Sequence, residues 1–163
     1  MVSLRTLELR DARDVFRAVD GSRDALRRWM AWYHDGYDLS DAESWIQHTV
    51  DAAATGTGFH FAMVDSTGEL VGVISLEDVR PESGRAMLGY WMATPATGRG
   101  LGGQAVAQIV AWARERCNLL ILWAVARTPT WPAVACSRET VFARPGRVID
   151  MKGETCRSFM NSG

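Results

Sequence analysis

The stretch that decides the fold runs Leu88-Gly-Tyr-Trp-Met-Ala-Thr-Pro-Ala-Thr-Gly-Arg-Gly-Leu-Gly-Gly-Gln-Ala-Val106. Its first part is apolar and reads as a strand, and Pro95 ends it. Gly98, Gly100, Gly102 and Gly103 follow, with Arg99 and Leu101 between them. Without Cβ atoms, such a turn can adopt conformations closed to other residues and aim successive N–H groups at one point. Over 103–116 the pattern becomes helical, with Val106, Ile109, Val110 and Ala113 on one stripe. The N-terminus of that helix adds partial positive charge. Glycine turn, helix N-terminus and the Arg99 cation together suit a diphosphate.

Two other phosphate motifs compete for the same residues. Gly98, Gly100 and Gly103 match G-x-G-x-x-G, which in a dinucleotide site follows a strand directly and has an acid about 20 positions further on. Here Pro95 and a short loop intervene, position 123 is Trp, and residues 118–132 contain no acid. A P-loop ends in Gly-Lys-Ser/Thr, whereas this turn ends Gly102-Gly103-Gln104.

Working outward, Leu4, Leu7 and Leu9 suggest a first strand, and Asp11 a cap for a helix with Val15, Phe16 and Val19 inside. Leu26, Trp29, Met30 and Tyr33 fall at i, i+3, i+4 and i+7, which predicts a second helix after Ser22. Ser40-Asp-Ala-Glu43 has capping-box spacing ahead of Trp45, Ile46, Val50 and Ala53. Phe59, Phe61 and Met63 alternate with His60 and Ala62, Asp65-Ser-Thr-Gly68 is a turn, and residues 70–76 resume as the partner strand. Residues 119–125 read as a buried strand, 133–143 as a helix, and 148–160 as one or two weak strands. The order predicts an α/β (α+β) fold of one domain, 1–163, around a central mixed and mostly antiparallel sheet.

The 163 residues, 47% hydrophobic and 23% charged, suffice for one packed core. A net charge of -1 argues against nucleic acid as the main partner. The three cysteines, Cys117, Cys136 and Cys156, are too scattered for a disulfide framework or a zinc knuckle, so no metal is expected. The charged opening MVSLRTLELRDARD is unlike a signal peptide, and no run approaches the roughly 18 apolar residues of a membrane span. The expectation is a cytoplasmic protein without a membrane partner.

Leu88-Gly-Tyr-Trp-Met92 and Gly98-Arg-Gly-Leu-Gly-Gly-Gln-Ala105 resemble the strand-turn-helix of the GNAT superfamily, in its branch of ribosomal-protein N-terminal acetyltransferases. Leu26-Arg-Arg-Trp-Met-Ala-Trp32 and Gly68-Glu-Leu-Val-Gly-Val-Ile74 resemble that branch as well. The resemblance covers residues 4 to 126. It implies a sheet splayed at an acyl-CoA site, with helices on both faces, and transfer of an acetyl group from acetyl-CoA to a primary amine by direct attack. The acceptor would be a protein N-terminus or a small amine, and a homodimer is common in the branch. By the same resemblance, main chain at Met92, Ala93 and Thr94 would pair with pantetheine, and the amides of Arg99, Gly100, Leu101, Gly102 and Gly103 would take the pyrophosphate.

The C-terminal part departs from the family pattern. Where the family has Asn-x-x-Ser, an ungapped register puts Thr130 for the pantetheine-holding Asn and Ala133 for the proton-donating Ser. Ser137 lies one helical turn further along the same face and is the candidate replacement. Met87 stands where many relatives have Glu. The base then falls to Glu77 or its neighbour Asp78, with Tyr90, His34 and His60 as further candidates. Trp29, Trp32 and Tyr33 read either as core or as the wall of an acceptor pocket. The missing Asn-x-x-Ser also admits an acyl-CoA-binding sensor that has lost transfer chemistry.

Overall fold

The computed structural model describes residues 1–119 and, beyond them, only the backbone of three short strands at 121–123, 148–149 and 155–156. Five strands form one sheet in the order β1-β2-β3-β4-β5: Val2–Thr6, Phe59–Asp65, Leu70–Arg80, Arg85–Met92 and Ile121–Trp123. The first four are antiparallel neighbours, and β5 joins β4 in parallel. Helices α1 (Ala12–Asp20), α2 (Arg23–Trp29) and α3 (Leu39–Thr55) precede β2, and α4 (Leu101–Cys117) makes the crossover from β4 to β5. Strands β6 (Val148–Ile149) and β7 (Thr155–Cys156) pair separately.

Period-2 alternation sends the two faces of this sheet to different cores. Phe61, Met63, Ile74, Leu76 and Leu88 pack with Val106, Ile109 and Ala113 of α4. Trp112 adds edge-on ring contacts to Phe59 and Phe61 at 4.9 Å each. Ala62, Val73 and Trp91 face the other way, onto Val15, Val19, Leu26 and Ile46 of α1 to α3. Helix α4 also covers the edge of β1. Gln104 accepts from the Val2 amide at 3.0 Å, and Gln108 donates to the Val2 carbonyl at 2.8 Å. An otherwise open strand edge is thereby satisfied.

Several element boundaries differ from those the sequence suggests. The first strand stops at Thr6, and Leu9 is exposed at the start of a short turn of 3₁₀ helix. Asp11 precedes α1 but makes no side-chain cap. Its carboxylate instead bonds Arg5 and the Glu8 amide. Helix α2 ends at Trp29 because Met30 is extended (φ -106°, ψ 118°), so Tyr33 lies in a loop and joins the Leu26 core from outside the helix. The cap of α3 sits two residues earlier than Ser40. Asp38 accepts from the Ser40 and Asp41 amides at 2.8 and 3.1 Å, and Asp41 returns a bond to the Asp38 amide. Helix α4 starts at Leu101, which puts Gly102 and Gly103 inside its first turn.

Candidate active site

The glycine turn has the geometry its sequence suggests. Gly98 (φ +75°) and Gly100 (φ +71°) are left-handed, and Gly100 is the N-cap of α4. No side chain caps that end, so the first amides of α4, on Leu101, Gly102 and Gly103, are left for a ligand or solvent. A Cβ on Gly98 or Gly100 would meet nothing within 4 Å, which leaves room above the turn. A Cβ on Gly102 would come within 3.3 Å of the Tyr90 hydroxyl and the Met92 sulfur. Gly102 therefore lets α4 lie close on β4. Arg99 is half-exposed and lies 3.6 Å from Asp65 of the β2–β3 turn. Hydrogen bonds from Thr67 hold the Asp65 carboxyl below the usual carboxylate range, with Arg99 contributing charge.

The exit of β4 is pinned on its β3 side. The Ala93 amide donates to the Val71 carbonyl at 2.9 Å, and the Thr94 amide to the hydroxyl of buried Ser22 at 2.9 Å. The Ala93 and Thr94 carbonyls accept from Ala96 and Thr97. Of the three residues expected to offer main chain to pantetheine, Ala93 and Thr94 thus have groups committed to the fold. Antiparallel ladders alternate, so the backbone groups of Leu88, Tyr90 and Met92 point toward the β5 side. Met92 is the member of the trio that faces that way. The described pairing of β4 with β5 covers Arg85–Met87, and β4 continues past it.

On the α1–α3 face, His60, Ser75 and Gly89 form one row across β2, β3 and β4, and Glu77 lies one step further along β3. The Ser75 hydroxyl donates to Glu77 Oε1 at 2.9 Å and lies 3.3 Å from the Gly89 carbonyl oxygen. His60 Nε2 is 3.5 Å from the same Oε1. The His60 contact first, then the Ser75 bond, hold the Glu77 carboxyl below its ordinary value of 4.5 against the upward push of burial. Glu77 is therefore an ionised carboxylate beside the middle of β4.

Of the other base candidates, the structure brings His60 to that carboxylate and leaves Tyr90, Asp78 and His34 away from it. Tyr90 pairs with Ile74 and projects to the opposite face, beneath the start of α4. Asp78 has φ 47° at an irregularity between Glu77 and Arg80, and its carboxylate bonds Arg80 at 3.0 Å. His34 is exposed, 3.4 Å from Asp41.

Trp32 (43% exposed) and buried Tyr33 do belong to an aromatic group. Trp32 lies 6.0 Å from Trp91, 5.9 Å from Tyr37 and 6.4 Å from Tyr33, measured between ring centroids. Burial pushes the Tyr37 phenol up to about 12, so it stays protonated. Trp29 stands apart at the end of α2 with the Arg28 guanidinium 4.7 Å over its ring. Thr130, Ala133, Cys136 and Ser137 lie outside the described residues. The places of Ser75, Trp91, Tyr37 and Ser22 around the site escaped the sequence reading. For Ser75 and Trp91 a signal existed, since period 2 puts Ser75 beside Glu77 and Trp91 beside Gly89 on one face. Tyr37 lies within five residues of its ring partners Trp32 and Tyr33, whereas nothing near Ser22 in sequence points to Thr94.

Residues 2–134 match the acetyltransferase (GNAT) domain family, and the chain belongs to that family. A curated relative, an uncharacterized N-acetyltransferase p20 of Bacillus licheniformis, is 25% identical over 114 residues. The match spans 69% of this chain but only 64% of the relative's length. Among solved structures, the ribosomal-protein-S5-alanine acetyltransferase of Vibrio fischeri superposes with a TM-score of 0.73 at 19% identity, covering 82% of this chain and 75% of its own. The microcin C7 self-immunity acetyltransferase MccE, solved in complex with acetyl-CoA and AMP, gives 0.74 at 16% identity, covering 79% and 71%. At these identities the superpositions establish the fold. Among the described residues, no helix is long and apolar enough to cross a membrane, and no group of His, Cys, Asp and Glu could hold a metal.

Proposed function

We propose that the chain is an acetyl-CoA-dependent N-acetyltransferase acting on a primary amine. The observation that carries this reading is the uncapped N-terminus of α4 behind two left-handed glycines, which fits the pyrophosphate of acetyl-CoA. The amides of Leu101, Gly102 and Gly103 would receive that group, with Arg99 exchanging its Asp65 contact for phosphate. Met92 main chain would meet pantetheine on the β5 side of β4. The thioester would then lie beside the middle of the strand, with Glu77 on the other side of the backbone row.

In the reaction, the amine nitrogen attacks the thioester carbonyl carbon, forming C–N as C–S breaks. Glu77 accepts the proton that the nitrogen sheds as the bond forms. A free α-amino group has a pKa of about 7.7–8.0, so a useful fraction arrives deprotonated and the carboxylate has only the later proton to take. The departing thiolate takes a proton from Ser137 or from water, with CoA and an acetylamide as products. Trp32 and Tyr33, joined by Tyr37 and Trp91, wall the acceptor side. A protein N-terminus is the proposed acceptor, in line with what the Vibrio fischeri neighbour's name says of that protein. The substitutions at Thr130, Ala133 and Met87 favour the second reading, an acyl-CoA-binding sensor.

Acetyl-CoA at saturation should raise the thermal midpoint, and thiol release should appear when free-amine peptides are added. Absence of any shift overturns both readings. A shift without amine-dependent thiol release favours the sensor.

A further inference from the structure

His60 is a buried polar group that the fold itself does not explain. Its side chain is 8% exposed, wedged between Trp45, which meets it edge-on at 5.8 Å, and the backbone at Gly58. Nδ1 has no hydrogen-bond partner among the described residues. An apolar side chain would fill this space without desolvating two ring nitrogens. Among the described residues, the one polar contact the ring makes is with Glu77 Oε1. Ser75 reaches that same oxygen, and the contacts of Glu77 among the described residues all fall on Oε1.

We propose that His60 is a positioning residue for Glu77: imidazole and Ser75 hydroxyl together hold Oε1, which leaves Oε2, without a hydrogen-bond partner among the described residues, to receive the acceptor's proton. The inference rests on the reading of Glu77 as the base. Besides His60 from β2, the titratable group facing Glu77 is His48 from α3, while β4 presents Met87 and Gly89. Because the donors stabilise the ionised form, their loss moves the carboxyl upward.

The test compares His60→Gln, whose amide nitrogen replaces Nε2 at the same number of bonds from Cα, with His60→Asn, which cannot reach Glu77. Glu77→Gln is the reference. Kinetics use free-amine peptides beginning with serine or alanine, and the Glu77 carboxyl is titrated by ¹³C NMR in the protein without ligand. We expect His60→Gln to keep kcat within about threefold, and His60→Asn to lose about tenfold or more at unchanged KM for acetyl-CoA. Glu77→Gln should lose about 10² to 10⁴, and His60→Asn should add nothing to it. The Glu77 titration should rise in His60→Asn and stay low in His60→Gln. An unchanged Glu77 midpoint in His60→Asn overturns the proposal whether or not any peptide is acetylated. Equal loss of kcat in the Gln and Asn variants also overturns it, since packing alone then explains the residue. Full turnover in Glu77→Gln with an intact acetyl-CoA shift removes the base assignment, and the role of His60 with it. An inactive Glu77→Gln beside an unaffected His60→Asn removes His60 alone.

Discussion

Asp11 shows how one buried carboxylate ties the first strand to the first helix. It is 3% exposed, and Arg5 reaches both its oxygens at 2.7 and 2.8 Å while the Glu8 amide adds a bond at 2.8 Å. Burial pushes this carboxyl up, but the Arg5 bonds and the Glu8 amide outweigh it and leave the group below 3.8. A folded-state value below the unfolded one stabilises above the unfolded value, and that stabilisation is lost as pH falls through the folded value. Chemical denaturation followed down from about pH 5 should therefore show a steeper acid loss in the native protein than in Asp11→Asn. Arg5→Ala should cost about 1.5–3 kcal/mol at neutral pH, the worth of hydrogen bonds to a charged group. Gly72 is the other decisive residue. A Cβ there would stand 2.3 Å from the Trp91 carbonyl oxygen and 2.6 Å from the Met63 methyl. Gly72→Ala should lower the unfolding free energy by about 1–3 kcal/mol, read from chemical denaturation, because the two strands must part to admit it.

At the scale of elements, the turn before α4 separates ligand binding from folding. Gly100 is left-handed with open space around it, whereas Gly102 faces Tyr90 and Met92. A Cβ at 100 meets no atom within 4 Å, but a β-branched residue disfavours the left-handed cap by about 1–2 kcal/mol. Gly100→Val should thus stay folded and lose its response to acetyl-CoA. In the native protein, ligand at 100 times its dissociation constant should stabilise by about 2.7 kcal/mol, read as a thermal shift. Gly102→Val should lower stability even without ligand, since it pushes α4 off β4. The turn itself was legible in the sequence, because glycine spacing and helical periodicity are local properties. The limits of α2 and α3 were not. Met30 leaves the helix although its apolar spacing continues, and Asp38 outcompetes Ser40 as a cap because a carboxylate accepts two amides at once.

Across the whole molecule, the sheet keeps two kinds of chemistry on opposite faces. Helix α4 presents its amides where Tyr90 and Met92 lie, while α1 to α3 bring aromatic rings and the Glu77 row to the other. A carboxylate and a thioester can then approach the same strand from two sides. On the proposed reaction, Ser137→Ala should lower kcat by about 10² to 10⁴ with the acetyl-CoA shift unchanged, if its hydroxyl protonates the thiolate. Unchanged turnover in that variant assigns the proton to water.

The sequence by itself determined the family, the order of the elements as far as β5, the glycine turn and Glu77 as a candidate; the helix expected over 133–143 lies outside the described residues. Each of these is written in a window of a few residues, where periodicity and the absence of a Cβ act directly. Only the tertiary structure decided that Tyr90 turns away from Glu77, that Ala93 and Thr94 have groups committed to the fold, and that His60 and Ser75 meet one carboxylate oxygen. The physical reason is register. Which residues of β2, β3 and β4 share a row depends on the pairing of strands tens of residues apart, and a slip of one position would send every side chain to the other face.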